Sequence, residues 1–105
     1  MIRVTFLYPN TPGSRFDAEY YISTHMPLAI RLLKPALKAV SAEIGISSAM
    51  PNQPAPNAAI AAFTFESVQA FTEAVMPHYA ELQGDIPKYT DIEPVVQISE
   101  IRIFE

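Results

Sequence analysis

The chain has 105 residues, half of them hydrophobic, and seven basic against eleven acidic residues for a net charge of −4. That length suits one domain, residues 1–105, with a core but thin coverage for its size. Scattered bases (Arg3, Arg15, Arg31, Lys34, Lys38, Lys88, Arg102) form no stripe and argue against nucleic acid, and the absence of cysteine excludes disulfides, thiolate catalysis and cysteine-held metals.

Ile2, Val4, Phe6 and Tyr8 alternate with Arg3, Thr5 and Leu7, which predicts a half-buried strand. "YPNTPGS" then supplies turn chemistry. A helical face follows from Phe16 through Tyr20, Leu28, Leu32 and Leu33, with Ser14 as expected N-cap and Pro35 as expected stop. Val40 to Ile46 alternates as a second strand, and "SSAMPNQPAPN" is a proline-rich loop. Ala58 to Phe65 is a third strand, apolar or small almost throughout. Ser67 opens a second helix on Val68, Phe71, Val75, Tyr79 and Leu82; Pro77 should kink it, and Gly84 suits its C′ position. Val95 to Phe104 is a last strand whose apolar register slips, which predicts a bulge.

The order β-α-β-β-α-β is that of an α+β, ferredoxin-like domain: an antiparallel sheet with two helices on one face. Phe63 and Phe65 on one parity and Ile60 on the other put apolar groups on both sheet faces. The bare face is expected to seat a second copy, making a homodimer. No stretch approaches the roughly 20 apolar residues of a membrane span, and the alternating N-terminus does not read as a signal peptide. The chain is expected to be soluble and cytoplasmic, with no membrane partner.

"FDAEYYISTHMPLA" carries the strongest chemical pattern. Asp17, Tyr21 and His25 lie four apart and share one helical stripe, continued by Leu28 and Leu32. Pro27 removes an amide hydrogen and should bend or break the helix beside His25, opening space next to the imidazole. "GDIPKYTDIEP" crowds Asp85, Lys88, Tyr89 and Asp91 before the last strand, and Asp85 or Asp91 is placed to orient an imidazole. His78, in the last turns of the second helix, reads as solvated surface. No metal motif, glycine-rich phosphate loop or G-x-S-x-G elbow occurs, so no cofactor and no metal is called for.

"FDAEYYISTHMPLA" resembles the signature F-D-x-x-Y-Y-x-x-x-H-x-P-L of the EthD-like family, and "DIPKYTDIEPVVQISEI" resembles that family's C-terminal stretch. The resemblance implies a ferredoxin-like protomer that pairs into a dimeric α/β barrel, and an association with ethyl tert-butyl ether degradation. It marks Tyr20, Tyr21, His25 and Pro27, with Asp85 and Tyr89 in the second segment.

The reading that follows is a small apolar or aromatic oxygenated ligand held between helices and sheet by Leu28, Leu32, Phe6, Phe63 and Val75, with Tyr20 and Tyr89 also contributing. His25 is the general acid or base, because imidazole titrates near neutrality. Tyr21 donates to a developing enolate or phenolate, and Asp17 or Asp85 orients the ring. The expected chemistry is isomerisation, cyclisation, decarboxylation or cofactor-free oxygenation. The alternatives are ligand binding without chemistry, and haem held by a histidine.

Overall fold

Period-two patterning becomes four strands in a computed structural model that describes residues 1–104. They are β1 (Ile2–Pro9), β2 (Ala39–Ile44), β3 (Asn57–Phe65) and β4 (Val95–Glu100), in the antiparallel order β2-β3-β1-β4. The ladders fix which residues share a face. Val4, Phe6 and Tyr8 stand opposite Phe63, Ala61 and Ala59, and these side chains point toward the helices. Arg3, Thr5 and Leu7 stand opposite Thr64, Ala62 and Ile60 on the other face, where Val95 completes an apolar row with Leu7 and Ile60. This is the expected α+β ferredoxin-like arrangement.

Two helical arms cover the first face. The first runs through α1 (Ala18–Tyr20), a wide π-turn (Tyr21–His25) and α2 (Met26–Leu33). Its cap is Asp17, whose Oδ1 accepts from the Tyr20 amide at 3.1 Å, not Ser14, which instead bonds back to the Thr11 carbonyl. Met26 keeps helical angles and Pro27 neither breaks the arm nor expels it from helix. The wide turn provides the reason: the Met26 amide reaches back five residues to the Tyr21 carbonyl, so the ladder is already reset where proline cannot donate.

The second arm comprises α3 (Val68–Val75), a 3₁₀ turn (Met76–His78) and α4 (Tyr79–Asp85). Ser67 caps it through the Ala70 amide. The tight turn falls at Pro77 as expected, but Gly84 lies within α4 rather than beyond its end, because a second 3₁₀ turn (Ile86–Lys88) continues the arm. β4 pairs without a bulge from Val95 to Glu100 and ends there. The apparent slip belongs to the tail, where Ile103 is 80% exposed and Phe104 lies under the Arg3 guanidinium. Among the described residues no helix is long and apolar enough to cross a membrane.

Candidate functional site

The segment before α1 and the segment before β4 are stitched together. The Arg15 amide donates to Asp91 Oδ1 at 2.8 Å, the Arg15 guanidinium to the Pro87 carbonyl at 2.7 Å, and Thr90 Oγ1 to the Arg15 carbonyl at 2.6 Å. Phe16 and Thr90 form a single β-bridge, and the Asp17 amide donates to the Tyr89 carbonyl at 2.7 Å. These bonds bring Asp85 to His25, 60 positions away in the sequence.

His25 Nδ1 lies 2.8 Å from Asp85 Oδ2, and both residues are buried. Asp85 Oδ1 accepts from the Tyr20 hydroxyl at 2.8 Å, with Lys88 Nζ at 3.7 Å. Burial opposes the charge on Asp85, but the bonds from His25 and Tyr20 and the nearby Lys88 charge outweigh it and hold the carboxyl below its ordinary range. In the neutral ring an ionised acceptor assigns the proton to Nδ1, which leaves Nε2 with a free lone pair. Tyr21 stacks on the imidazole at 5.8 Å and 14°, and Tyr89 packs against it at 4.6 Å.

Beside the imidazole lies a cavity of about 260 Å³ between the helical arms and the sheet. Phe6, Phe63, Phe71, Val75, Met26 and Leu33 supply much of its apolar wall. Its polar side chains are Tyr8, Tyr21, His25, Tyr79 and Gln83, and no Asp, Glu, Lys or Arg among the described residues lines it. The Tyr21 hydroxyl is fully buried and has no hydrogen-bond partner among the described residues, a state that costs about 1–3 kcal/mol. Burial pushes that phenol well above its ordinary pKa, with a further push from Tyr8, so it stays protonated as a donor.

Of the residues singled out in the sequence, His25, Tyr21, Phe6, Phe63 and Val75 line the cavity. Asp85 and Tyr20 stand behind the imidazole, Asp85 on its Nδ1 and Tyr20 on Asp85. Tyr89 is fully buried outside the lining, with its hydroxyl 2.7 Å from that of Tyr8. Asp17 caps the helix and does not reach the imidazole. Leu28 and Leu32 lie half-buried outside the cavity, and the stripe Tyr21–His25 is continued by Ala29 and Leu33. The wide turn absorbs one extra residue and so keeps positions four apart in line. His78 is half-buried and lines no part of the cavity. Tyr8 escaped the sequence reading as a site residue, although its parity with Phe6 put it on the helix-covered face. Among the described residues no cluster of His, Cys, Asp or Glu is arranged to hold a metal ion.

Residues 14–93, which include the dyad and its stitched segments, match the family described as the EthD domain. An EthD-like protein from Ralstonia eutropha JMP134, known from its crystal structure, is 39% identical, with 99% of this chain and 94% of that one aligned at a TM-score of 0.94. The fold alone is shared with an EthD family protein from Bacillus halodurans C-125 (18% identity, 96% and 98% of the two chains, TM-score 0.74). It is shared likewise with a protein from Arabidopsis thaliana (18% identity, 100% and 99%, TM-score 0.70). No curated protein matches the chain. With a family match over most of its length and a relative this similar, the chain belongs to the EthD family.

Proposed function

We propose that the protein is a cofactor-free proton-transfer enzyme acting on a small, largely apolar, oxygenated compound. One observation carries this reading: a buried His25–Asp85 pair beside an uncharged cavity that is also lined by Tyr21, whose buried hydroxyl has no partner among the described residues. A proton leaves the carbon next to a ligand carbonyl, or a phenolic oxygen, and passes to His25 Nε2. The imidazolium that forms faces the Asp85 carboxylate through Nδ1–H. Negative charge develops on the ligand oxygen, where the Tyr21 hydroxyl donates to it. Return of the proton to a different atom gives isomerisation, and attack of the enolate carbon on a second carbonyl gives cyclisation.

Haem fits this cavity poorly: its about forty non-hydrogen atoms need several times the space that close packing allows in 260 Å³. The protein works as a homodimer, paired through the row Ile60–Leu7–Val95 on the open sheet face.

Exchange of ligand protons with deuterated water tests the reading without the natural substrate. Wild type should exchange the α-protons of a cyclic aryl ketone such as tetralone at least 10²-fold faster than His25→Gln, the usual range for general base catalysis. Binding of the ketone with no exchange above buffer would leave a carrier or accessory protein instead.

A further inference from the structure

The Tyr8 and Tyr89 hydroxyls lie 2.7 Å apart, and either is able to donate to the other. Two phenols bring two protons to this bond, and the bond uses one. Tyr89 is fully buried, lies outside the cavity lining, and has no other side-chain partner among the described residues. Its proton is therefore spent on Tyr8, whose own O–H remains available. Tyr8 is buried to 2% exposure and lines the cavity, as does Tyr21, with the two rings 5.6 Å apart and nearly perpendicular.

Resting on the proposed role of His25 as base, we infer that Tyr8 and Tyr21 form a two-hydroxyl cradle for one ligand oxygen, and that the ligand is an uncharged planar ring compound whose carbonyl or phenol becomes that oxygen. Size and charge both support the class. At the packing density of protein interiors, 260 Å³ holds roughly ten to fifteen non-hydrogen atoms. A carboxylate or phosphate would enter a cavity with no cationic side chain in its lining, close to the Asp85 carboxylate, and would lose its hydration without a partner. An enolate or phenolate oxygen meets two donors instead. Burial raises both phenols above their ordinary pKa, so neither loses its proton near neutrality.

The test is equilibrium binding of three probes of one shape: naphthol, naphthoate and naphthalene. Naphthol should bind wild type at least tenfold more tightly than the other two. Tyr8→Phe and Tyr21→Phe should each weaken naphthol about tenfold, equivalent to about 1.4 kcal/mol, while naphthalene stays within about twofold of its wild-type affinity. The unchanged naphthalene value also reports an intact cavity in each variant. Naphthoate binding as tightly as naphthol would overturn the ligand class. A Tyr8→Phe protein that holds naphthol like wild type would overturn the two-hydroxyl cradle. Failure of the base role is read separately: His25→Gln would then bind naphthol normally while wild type exchanges no ketone protons.

Discussion

Asp85→Asn keeps the shape of the side chain and removes its charge, which isolates what the carboxylate does to His25. In the wild type both oxygens accept, one from His25 Nδ1 and one from the Tyr20 hydroxyl, each at 2.8 Å. An asparagine has one acceptor oxygen and one donor NH₂ for those two places. Tyr20 donates to the Oδ1 place and the Lys88 ammonium, which can only donate, lies 3.7 Å from it, so the amide oxygen stays there and the NH₂ turns toward Nδ1. The imidazole then accepts at Nδ1 and carries its proton on Nε2, where the base lone pair had been. In serine-protease triads the same exchange forces the histidine into the wrong tautomer and lowers turnover about 10⁴-fold, and a loss of that order is expected here. The stability cost is smaller, about 1–3 kcal/mol, because two charge-assisted bonds become neutral ones without leaving an atom unpartnered.

Nitrogen-15 NMR of the imidazole measures the tautomer directly and needs no substrate. In its neutral form the wild-type ring should give a protonated Nδ1 and an unprotonated Nε2, and Asp85→Asn should give the reverse. A protonated Nδ1 that persists in Asp85→Asn would refute the reasoning, because the carboxylate would then not be what fixes the ring.

Tyr21→Phe removes a buried hydroxyl that has no partner among the described residues, so the urea midpoint of the protein without ligand should rise, by about 1 kcal/mol in stability. Gly45→Ala should destabilise by about 1–3 kcal/mol in the same assay, since an added Cβ would collide with the Asn57 carbonyl and the Ala55 side chain. Asp85 has a lowered folded pKa, so its stabilising contribution is complete above the ordinary carboxylate value of about 4 and is lost as pH falls through the folded value. The stability gap between wild type and Asp85→Asn should therefore close on acidification, and a gap unchanged down to about pH 2 would contradict the ionised assignment. Leu7→Lys places a charge in the middle of the open-face row; sedimentation equilibrium should find two chains per particle in wild type and one in the variant.

Strand parity made much of the fold legible, because alternation is a local property and the core reads it directly. Phe6 and Phe63 reach the cavity on that basis, and Val75 by the helical spacing of its arm. The same local reasoning failed where a long-range contact decided the outcome. Asp17 stands in the Asp17–Tyr21–His25 stripe, yet the orphan amides of the helix start claim its side chain as a cap. Asp85 takes the imidazole because the bonds among Arg15, Asp91, Pro87 and Thr90 bring its segment alongside. Ile101 and Ile103 extended the apolar pattern past the end of β4, but hydrophobic identity alone does not supply a partner strand.

Pro27 is where sequence and structure diverge most usefully. Read locally, a proline two residues after a histidine means a broken helix. The chain instead widens the preceding turn, and the displaced ladder closes from the Met26 amide to the Tyr21 carbonyl. An ordinary α-helix would place His25 about 40° around the axis from Tyr21. The wider turn brings the two nearly into line, and their rings lie 14° from parallel. Donor and base therefore share one wall of the cavity, with Ala29 and Leu33 continuing it in place of Leu28 and Leu32. Ala29 matters by its size: a small residue one turn beyond the imidazole leaves the space that a leucine there would fill, and the cavity begins beside His25 for that reason.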